Sequence, residues 1–247
     1  YCDQHGFRKG LSCETQLVSV IHEWANVLNS HGQVDVIFLD FAKAFDSVPY
    51  NRLLAKAEFY GIRGKLLAWL RDFLMGRRQR VVVNGSSSDW SPVLSGVPQG
   101  TVLGPILFLM FINDLPSGLS SSVKLFADDS VLFRQIQSPA DHHILQQDLF
   151  RLEKWASTWQ MNFSPTKCYR MSITLKRSPS SFPYMLCGTV LEGVIHQKYL
   201  GVHITCTLSW SKQAQEIRKK ANRVLGVLQR NLSSCNPAVK ERAYMGL

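Results

Sequence analysis

Val34-Asp35-Val36-Ile37-Phe38-Leu39-Asp40-Phe41 is the stretch from which the fold is read. Apolar residues stand at both parities, the pattern of a strand covered on both faces. Asp40 ends the uninterrupted apolar run Val36-Ile37-Phe38-Leu39, an acid where a core refuses charge. Val123 to Phe133 repeats the theme as two short strands around a tight turn, with Asp128-Asp129 between Lys124-Leu125-Phe126-Ala127 and Val131-Leu132-Phe133. Each acidic site alone has an ordinary explanation. An Asp at a strand end caps the next turn, and Asp-Asp suits hairpin geometry.

Working outward, Ser12 caps a helix with Glu14 in its first turn, and Leu17, Val20, Ile21, Trp24, Val27 and Leu28 fall on one face. Gly32 closes it. Two helices follow Pro49. The first carries Leu53, Leu54 and Ala57 and ends at Gly61; the second carries Leu66 to Leu74 and ends at Gly76. Arg80 to Val83 runs into Asn84-Gly85, a hairpin signal. Ser95 to Gly100 is a loop feeding a helix with Pro105 near its first turn, extending to about Leu115. Ser138-Pro139-Ala140-Asp141 is a capping box, and Ile144 to Trp159 continue that helix. Cys168–Leu175, Tyr184–Leu191 and Tyr199–Ile204 read as strands, and from Ser211 the pattern is helical.

The chain has 247 residues, 45% hydrophobic and 19% charged, an ordinary globular composition with a net charge of +10. That excess favours a polyanionic partner, nucleic acid or an anionic membrane. The most apolar stretch, Val102 to Ile112, is too short to span a bilayer, which needs about 20 residues. The opening Tyr1-Cys2-Asp3-Gln4-His5 does not read as a secretory signal. Without an initiator Met, the chain is expected to be an internal piece of something longer. Its six cysteines form no C-x-x-C pair, which argues against zinc and suits a reducing, intracellular compartment. After residue 210, eight basic residues stand against two acidic ones, carrying six of the ten net positive charges.

Brought together, Asp40, Asp128 and Asp129 repel one another and raise one another's pKa. A divalent cation removes the conflict. Mg²⁺ prefers hard oxygen ligands and is commonly held by one or two carboxylates plus substrate phosphates, and a pair of such ions can serve in-line displacement at phosphorus. A basic chain with a carboxylate cluster therefore suggests nucleotidyl transfer, and nuclease and polymerase chemistry both fit at this point.

Phe38-Leu39-Asp40-Phe41-Ala42-Lys43-Ala44-Phe45-Asp46 resembles the first palm motif of reverse transcriptases. Ser95-Gly96-Val97-Pro98-Gln99-Gly100-Thr101-Val102-Leu103-Gly104-Pro105 resembles their second motif, and Phe126-Ala127-Asp128-Asp129 their paired-Asp motif. The wording is most similar to enzymes of non-LTR (LINE-type) retrotransposons, with group II intron and telomerase enzymes more distant. Weaker matches cover nearly the whole chain. Gln4 to Gly10 resembles a fingers motif, Trp159 to Lys167 the fourth palm motif, and Tyr199-Leu200-Gly201-Val202 the primer grip.

The resemblance implies an α+β right-hand polymerase: a partial fingers segment over 1–33, a palm with inserted helices over 34–205, and a truncated basic helical thumb over 206–247. It implies an RNA template, a DNA primer, deoxynucleoside triphosphates and two Mg²⁺ ions, with Mn²⁺ as a possible substitute. Asp40 and Asp128 are then the main metal ligands, Asp129 lies beside them, and the Phe41 carbonyl completes the site. Phe45 lies under the incoming sugar and excludes a 2′-OH. Gln99 and Gly100, beginning the helix after the second motif, touch template and nucleotide. Lys167 protonates or steers pyrophosphate, and Arg8 contacts template or nucleotide. Leu200 and Gly201 grip the primer, and Arg218, Lys219, Lys220 and Arg223 track the phosphate backbone. The upstream arginine motif, an endonuclease and whatever follows the thumb are expected outside this chain, and nuclear work is implied through the family only. The alternative is a non-catalytic nucleic-acid-binding remnant of a decayed or co-opted element. Against it stand the three aspartates and Phe45, which relaxed decay has no reason to spare. A two-metal nuclease needs neither the second motif nor the thumb.

Overall fold

The computed structural model describes residues 2–246, and the chain divides after Ile195 into two compact units. The first is built on a five-stranded sheet of β1 (Gln33–Leu39), β2 (Ser122–Phe126), β3 (Asp129–Gln135), β4 (Tyr169–Thr174) and β5 (Glu192–Gly193). Their order across the sheet is β5-β4-β1-β3-β2. β1 is central and antiparallel to both neighbours, and β5 runs parallel to β4. All seven residues of β1 are buried, as its two-faced apolar pattern requires.

Helix α1 (Cys13–Asn29) begins at a capping box in which Ser12 and Thr15 satisfy each other's backbone N–H groups. It covers one sheet face, with Trp24 edge-on to Phe38 and Phe133 at 5.7–6.4 Å. The other face carries the larger core. There Ile37, Leu39 and Leu132 join side chains from α3 (Tyr50–Phe59), α4 (Gly64–Leu74), α5 (Leu103–Ile112) and α6 (Pro139–Trp159). A further short helix, α2 (Ala44–Ser47), precedes these. The Ser138–Asp141 capping box opens α6 with Pro139 in its first turn. The hairpin at Asn84-Gly85 forms with φ of 49° and 83°, the left-handed pair that its sequence favours.

Several elements differ from the sequence reading. Tyr184–Leu191 is not one strand but a two-stranded ribbon, Met185–Leu186 with Thr189–Val190, turning at Cys187 and Gly188, both at positive φ. Gln99 and Gly100 lie in the turn before α5, which starts at Leu103 and ends at Ile112.

Two buried polar groups organise the core. Lys56 on α3 is 3% exposed and donates to the Phe111 carbonyl and to Asp114 Oδ1, the latter at 2.5 Å. Its ammonium lies 3.8 Å from the Trp159 ring centroid and 4.7–4.8 Å from those of Phe111 and Trp155. Burial pushes its pKa down to about 8, against the opposing pull of Asp114. Asp35, 2% exposed on β1, accepts from the Tyr184 hydroxyl at 2.7 Å and from Gln33 Nε2 at 2.8 Å. His142 Nδ1 lies 2.7 Å from the Tyr184 oxygen, and its Nε2 2.8 Å from Ser180 Oγ. Burial, then the Asp35 charge, pushes the Tyr184 hydroxyl far up.

The second unit holds a hairpin, β6 (His196–Tyr199) with β7 (Val202–Thr205), followed by α7 (Ser211–Asn231) and α8 (Pro237–Met245). The strand expected over Tyr199–Ile204 is folded in two, because Leu200 and Gly201 take φ of 46° and 87° and form its turn. His203 N donates to Gln213 Oε1 at 2.9 Å, tying the hairpin to α7. Contacts therefore group the hairpin with the helices, and the division falls after Ile195, earlier than the shift in composition. Asn236 caps α8 by accepting from Val239 N at 3.0 Å.

Candidate active site

The central strands deliver the carboxylates to one end of the sheet. β1 finishes at Leu39, whose register partner is Ser130, so Asp40 emerges beside the β2–β3 turn that holds Asp128 and Asp129. Mutual proximity shows in their protonation. The Asp129 carboxyl is pushed up to about 6 by burial, then by the Asp128 and Asp40 charges. Asp128 is raised by burial and, more weakly, by Asp40. Oδ2 of Asp40 is shielded from solvent and has no hydrogen-bond partner, although the side chain as a whole is 42% exposed.

Both carriers of acid are braced from behind. The Asp40 carbonyl accepts from Ser164 N at 2.8 Å, and its N–H points to Cys168 Sγ at 3.3 Å. Ala42 N donates to the Asn162 carbonyl, and the Phe41 ring stacks on Phe163 at 4.4 Å. The segment from Met161 to Cys168 is thus a splint for the end of β1, and it carries Lys167, whose Nζ lies 3.9 Å from Asp40 Oδ2. On the other side, residues 3–5 run along β2, with Gln4 bridged in parallel to Leu125. Gln4, 1% exposed, accepts from Gly6 N at 2.8 Å and from Ala127 N at 2.9 Å, immediately before Asp128. A Cβ on Gly6 would lie 2.4 Å from Ala127 N, so only glycine allows this approach. Reading the sequence alone missed Gln4 as a positioning residue. Its signal was present, a Gln-His-Gly-Phe run with a glycine two residues on.

The nucleotide-side candidates form a second cluster in the same unit. Phe45 stacks on Phe108 at 4.2 Å and meets Phe7 edge-on at 6.3 Å, so its ring is clamped. Val97 N donates to the Phe45 carbonyl, and Gln99 Nε2 donates to Asp46 Oδ1 at 2.8 Å. Gly96, at φ 87°, lets this loop lie on the Asp46 backbone, where a Cβ would come within 2.7 Å. Gly100 is exposed at φ 75° with open space around its Cβ direction. Arg8 directs Nη1 to the Cys2 and Gln4 carbonyls at 3.1 and 3.2 Å, helping hold the turn that presents Gln4.

The remaining candidates belong to the second unit. Leu200 and Gly201 form the β6–β7 turn. Arg218, Lys219, Lys220 and Arg223 are all exposed on α7, with Lys219 paired to Glu216 at 3.1 Å.

Among the described residues, no three His, Cys or carboxylate side chains stand close enough to cage an ion unaided. The donors present still suit a hard divalent cation. Asp40 Oδ2, which accepts no hydrogen bond and has only the Lys167 ammonium at 3.9 Å, lies near two carboxylates that burial and repulsion make reluctant to ionise, and a cation with water or phosphate completing its shell relieves both conditions. Among the described residues, no helix is long and apolar enough to cross a membrane.

Comparison with known proteins adds an independent line. The family described as reverse transcriptase (RNA-dependent DNA polymerase) matches residues 2–204. The chain is 30% identical over 232 residues to the probable RNA-directed DNA polymerase from transposon X-element of Drosophila melanogaster, covering 88% of this chain and 24% of that protein. It is 30% identical over 230 residues to the RNA-directed DNA polymerase from mobile element jockey of the same organism, covering 87% and 24%. The chain therefore spans about a quarter of the length of these relatives. Among solved structures, apo telomerase from Candida tropicalis, truncated from its C-terminal domain, superposes with a TM-score of 0.55 at 13% identity, covering 79% of this chain and 39% of that one. Telomerase from Candida albicans, in complex with a fragment of telomeric RNA, gives 0.56 at 11%, covering 83% and 34%. These likenesses show a right-hand polymerase fold.

Proposed function

This chain belongs to the reverse transcriptase (RNA-dependent DNA polymerase) family, and we propose that it adds deoxynucleotides to a primer 3′-OH against an RNA template. The observation that carries the proposal is the convergence of Asp40, Asp128 and Asp129 at one sheet end, with a shielded Asp40 oxygen that accepts no hydrogen bond and Asp129 raised to about 6. Asp40 and Asp128, with the Phe41 carbonyl and Asp129 beside them, would hold two Mg²⁺ (or Mn²⁺), and the ions would supply charge neutralisation for the phosphates and activation of the attacking oxygen.

The chain's own groups do the rest. Phe45, locked between Phe108 and Phe7, forms a rigid wall under the sugar and excludes a 2′-OH. Gln99, oriented by Asp46, and Gly100, which offers bare backbone, face the base pair. Lys167 sets a positive charge beside Asp40 and steers the departing pyrophosphate. Arg8 contacts template or nucleotide from the edge of the Gln4 turn. Leu200 and Gly201 grip the primer, and Arg218, Lys219, Lys220 and Arg223 follow its phosphates.

The test is primer extension on an RNA template with deoxynucleotides and Mg²⁺, run beside Asp128→Ala. Extension by the wild type, lost in the variant, supports the proposal. An alanine variant that still extends sinks the residue assignment. Absence of extension by either, with salt-sensitive template–primer binding retained, leaves a binding fragment, and adding the upstream segment then decides between truncation and decay.

A further inference from the structure

Residues 78–92 form a hairpin in which every residue is exposed. Arg78–Gln79 pairs with Ser91–Pro92, and Val82–Val83 with Ser86–Ser87. Trp90 stands on it 51% exposed, with the Arg80 guanidinium 4.8 Å and that of Arg78 5.9 Å from its ring. Among the described residues neither arginine makes an ion pair, and Asp89 is the sole acid between Gly76 and Gly96. Val81, Val82 and Val83 are 57–65% exposed beside them.

The hairpin's root is fixed to the nucleotide-side loop. Arg77 Nη2 donates to the Tyr50 hydroxyl and to the Gly96 carbonyl, each at 2.7 Å. The Tyr50 hydroxyl lies 3.1 Å from the Val93 carbonyl and 2.9 Å from that of Ser95. Hydrogen bonds therefore tie the root of the hairpin that carries Trp90 to the loop that carries Gln99.

We propose that this hairpin binds the unpaired part of the template, stacking a base on Trp90 and placing phosphates against Arg78 and Arg80. An exposed indole flanked by two unpaired guanidiniums has the chemistry of a single-strand platform, aromatic faces for bases and cations for the backbone. A duplex offers phosphates but hides its base faces, so the exposed indole selects the unpaired strand. This assignment rests on the reading of the chain as a template-directed polymerase.

The experiment measures equilibrium affinity of the chain for one template–primer duplex, blunt or with a single-stranded 5′ template overhang. Trp90→Ala is expected to weaken overhang binding about 5- to 150-fold, the range for losing one base–aromatic stack, and to leave blunt binding within about twofold. Trp90→Phe retains most of the overhang preference. The double change Arg78→Gln with Arg80→Gln lowers the salt slope by roughly 1.4, the release expected from two single-strand phosphate contacts. Equal loss on both substrates, or loss on neither, overturns the proposal. So does self-association that depends on Val82 while nucleic-acid affinity stays unchanged. Extension of a template–primer whose template overhang is a single nucleotide is read in parallel. If it persists while Trp90→Ala changes nothing, the hairpin assignment fails and the polymerase reading stands.

Discussion

Replacing Asp129 by Asn is expected to make the metal-free protein more stable while disabling it. The Asp129 carboxyl sits at about 6 in the folded chain against 3.8 in the reference state, raised by burial and by Asp128 and Asp40. A shift of that size corresponds to about 3 kcal/mol at full weight. Asp129 is exposed at the residue level, so solvent screening reduces the usable figure to about 1 kcal/mol. The sign follows from proton binding. Between 3.8 and 6 the folded state holds more protons than the unfolded one, so the wild type loses stability as pH rises through that window. Asn carries no such dependence. Urea unfolding in a chelating buffer is thus expected to show no advantage for Asp129→Asn near pH 4 and an advantage of about 1 kcal/mol by pH 7.5. Adding Mg²⁺ at pH 7.5 shrinks that gap by stabilising the wild type more. A variant that is less stable at pH 7.5, or a gap that ignores pH, refutes the claim that these carboxylates strain one another.

Other positions give independent checks. Phe45→Ala removes the clamped ring and is expected to cut the preference for deoxy- over ribonucleotides about 10- to 100-fold, read from single-nucleotide incorporation. Gln4→Ala leaves the Gly6 and Ala127 N–H groups without their acceptor, so unfolding experiments are expected to show a loss of about 2–4 kcal/mol, with kcat falling more than nucleotide KM rises. Lys56 titrates at about 8 folded and 10.5 unfolded, so the unfolded chain holds more protons across that range and the wild type gains stability as pH climbs through it. Relative to Lys56→Met the gain reaches up to about 3 kcal/mol, and parallel urea midpoints from pH 7 to 10.5 argue against it.

The parts of this molecule that announced themselves in sequence were those whose logic is local. Asp40 stood out as an acid closing an apolar strand, and Asp128-Asp129 as acids between two apolar segments. Ser12 and Ser138 were legible as caps because a capping box lies within four residues. What stayed hidden depends on distant partners. Asp35 is buried more deeply than Asp40, yet the groups packed against its carboxylate, Tyr184 and His142, arrive from more than 100 residues away. Lys56 looks like a surface residue of α3 until Trp155 and Trp159 of α6 close over it. Tyr199–Ile204 reads in sequence as one strand because Leu200 is not a customary turn residue and Val202 and Ile204 favour extended backbone, whereas it holds the β6–β7 turn. Gln4 escaped because its role is to accept one N–H from a turn more than 120 residues downstream.

The most direct test of the central claim is Mn²⁺ titration of the chain loaded with template–primer and a deoxynucleotide, followed by electron paramagnetic resonance, for wild type and for Asp40→Asn and Asp128→Asn. The account predicts two bound ions in the wild type and loss of binding in each variant, with extension lost in step. Unchanged Mn²⁺ binding in both variants would contradict it.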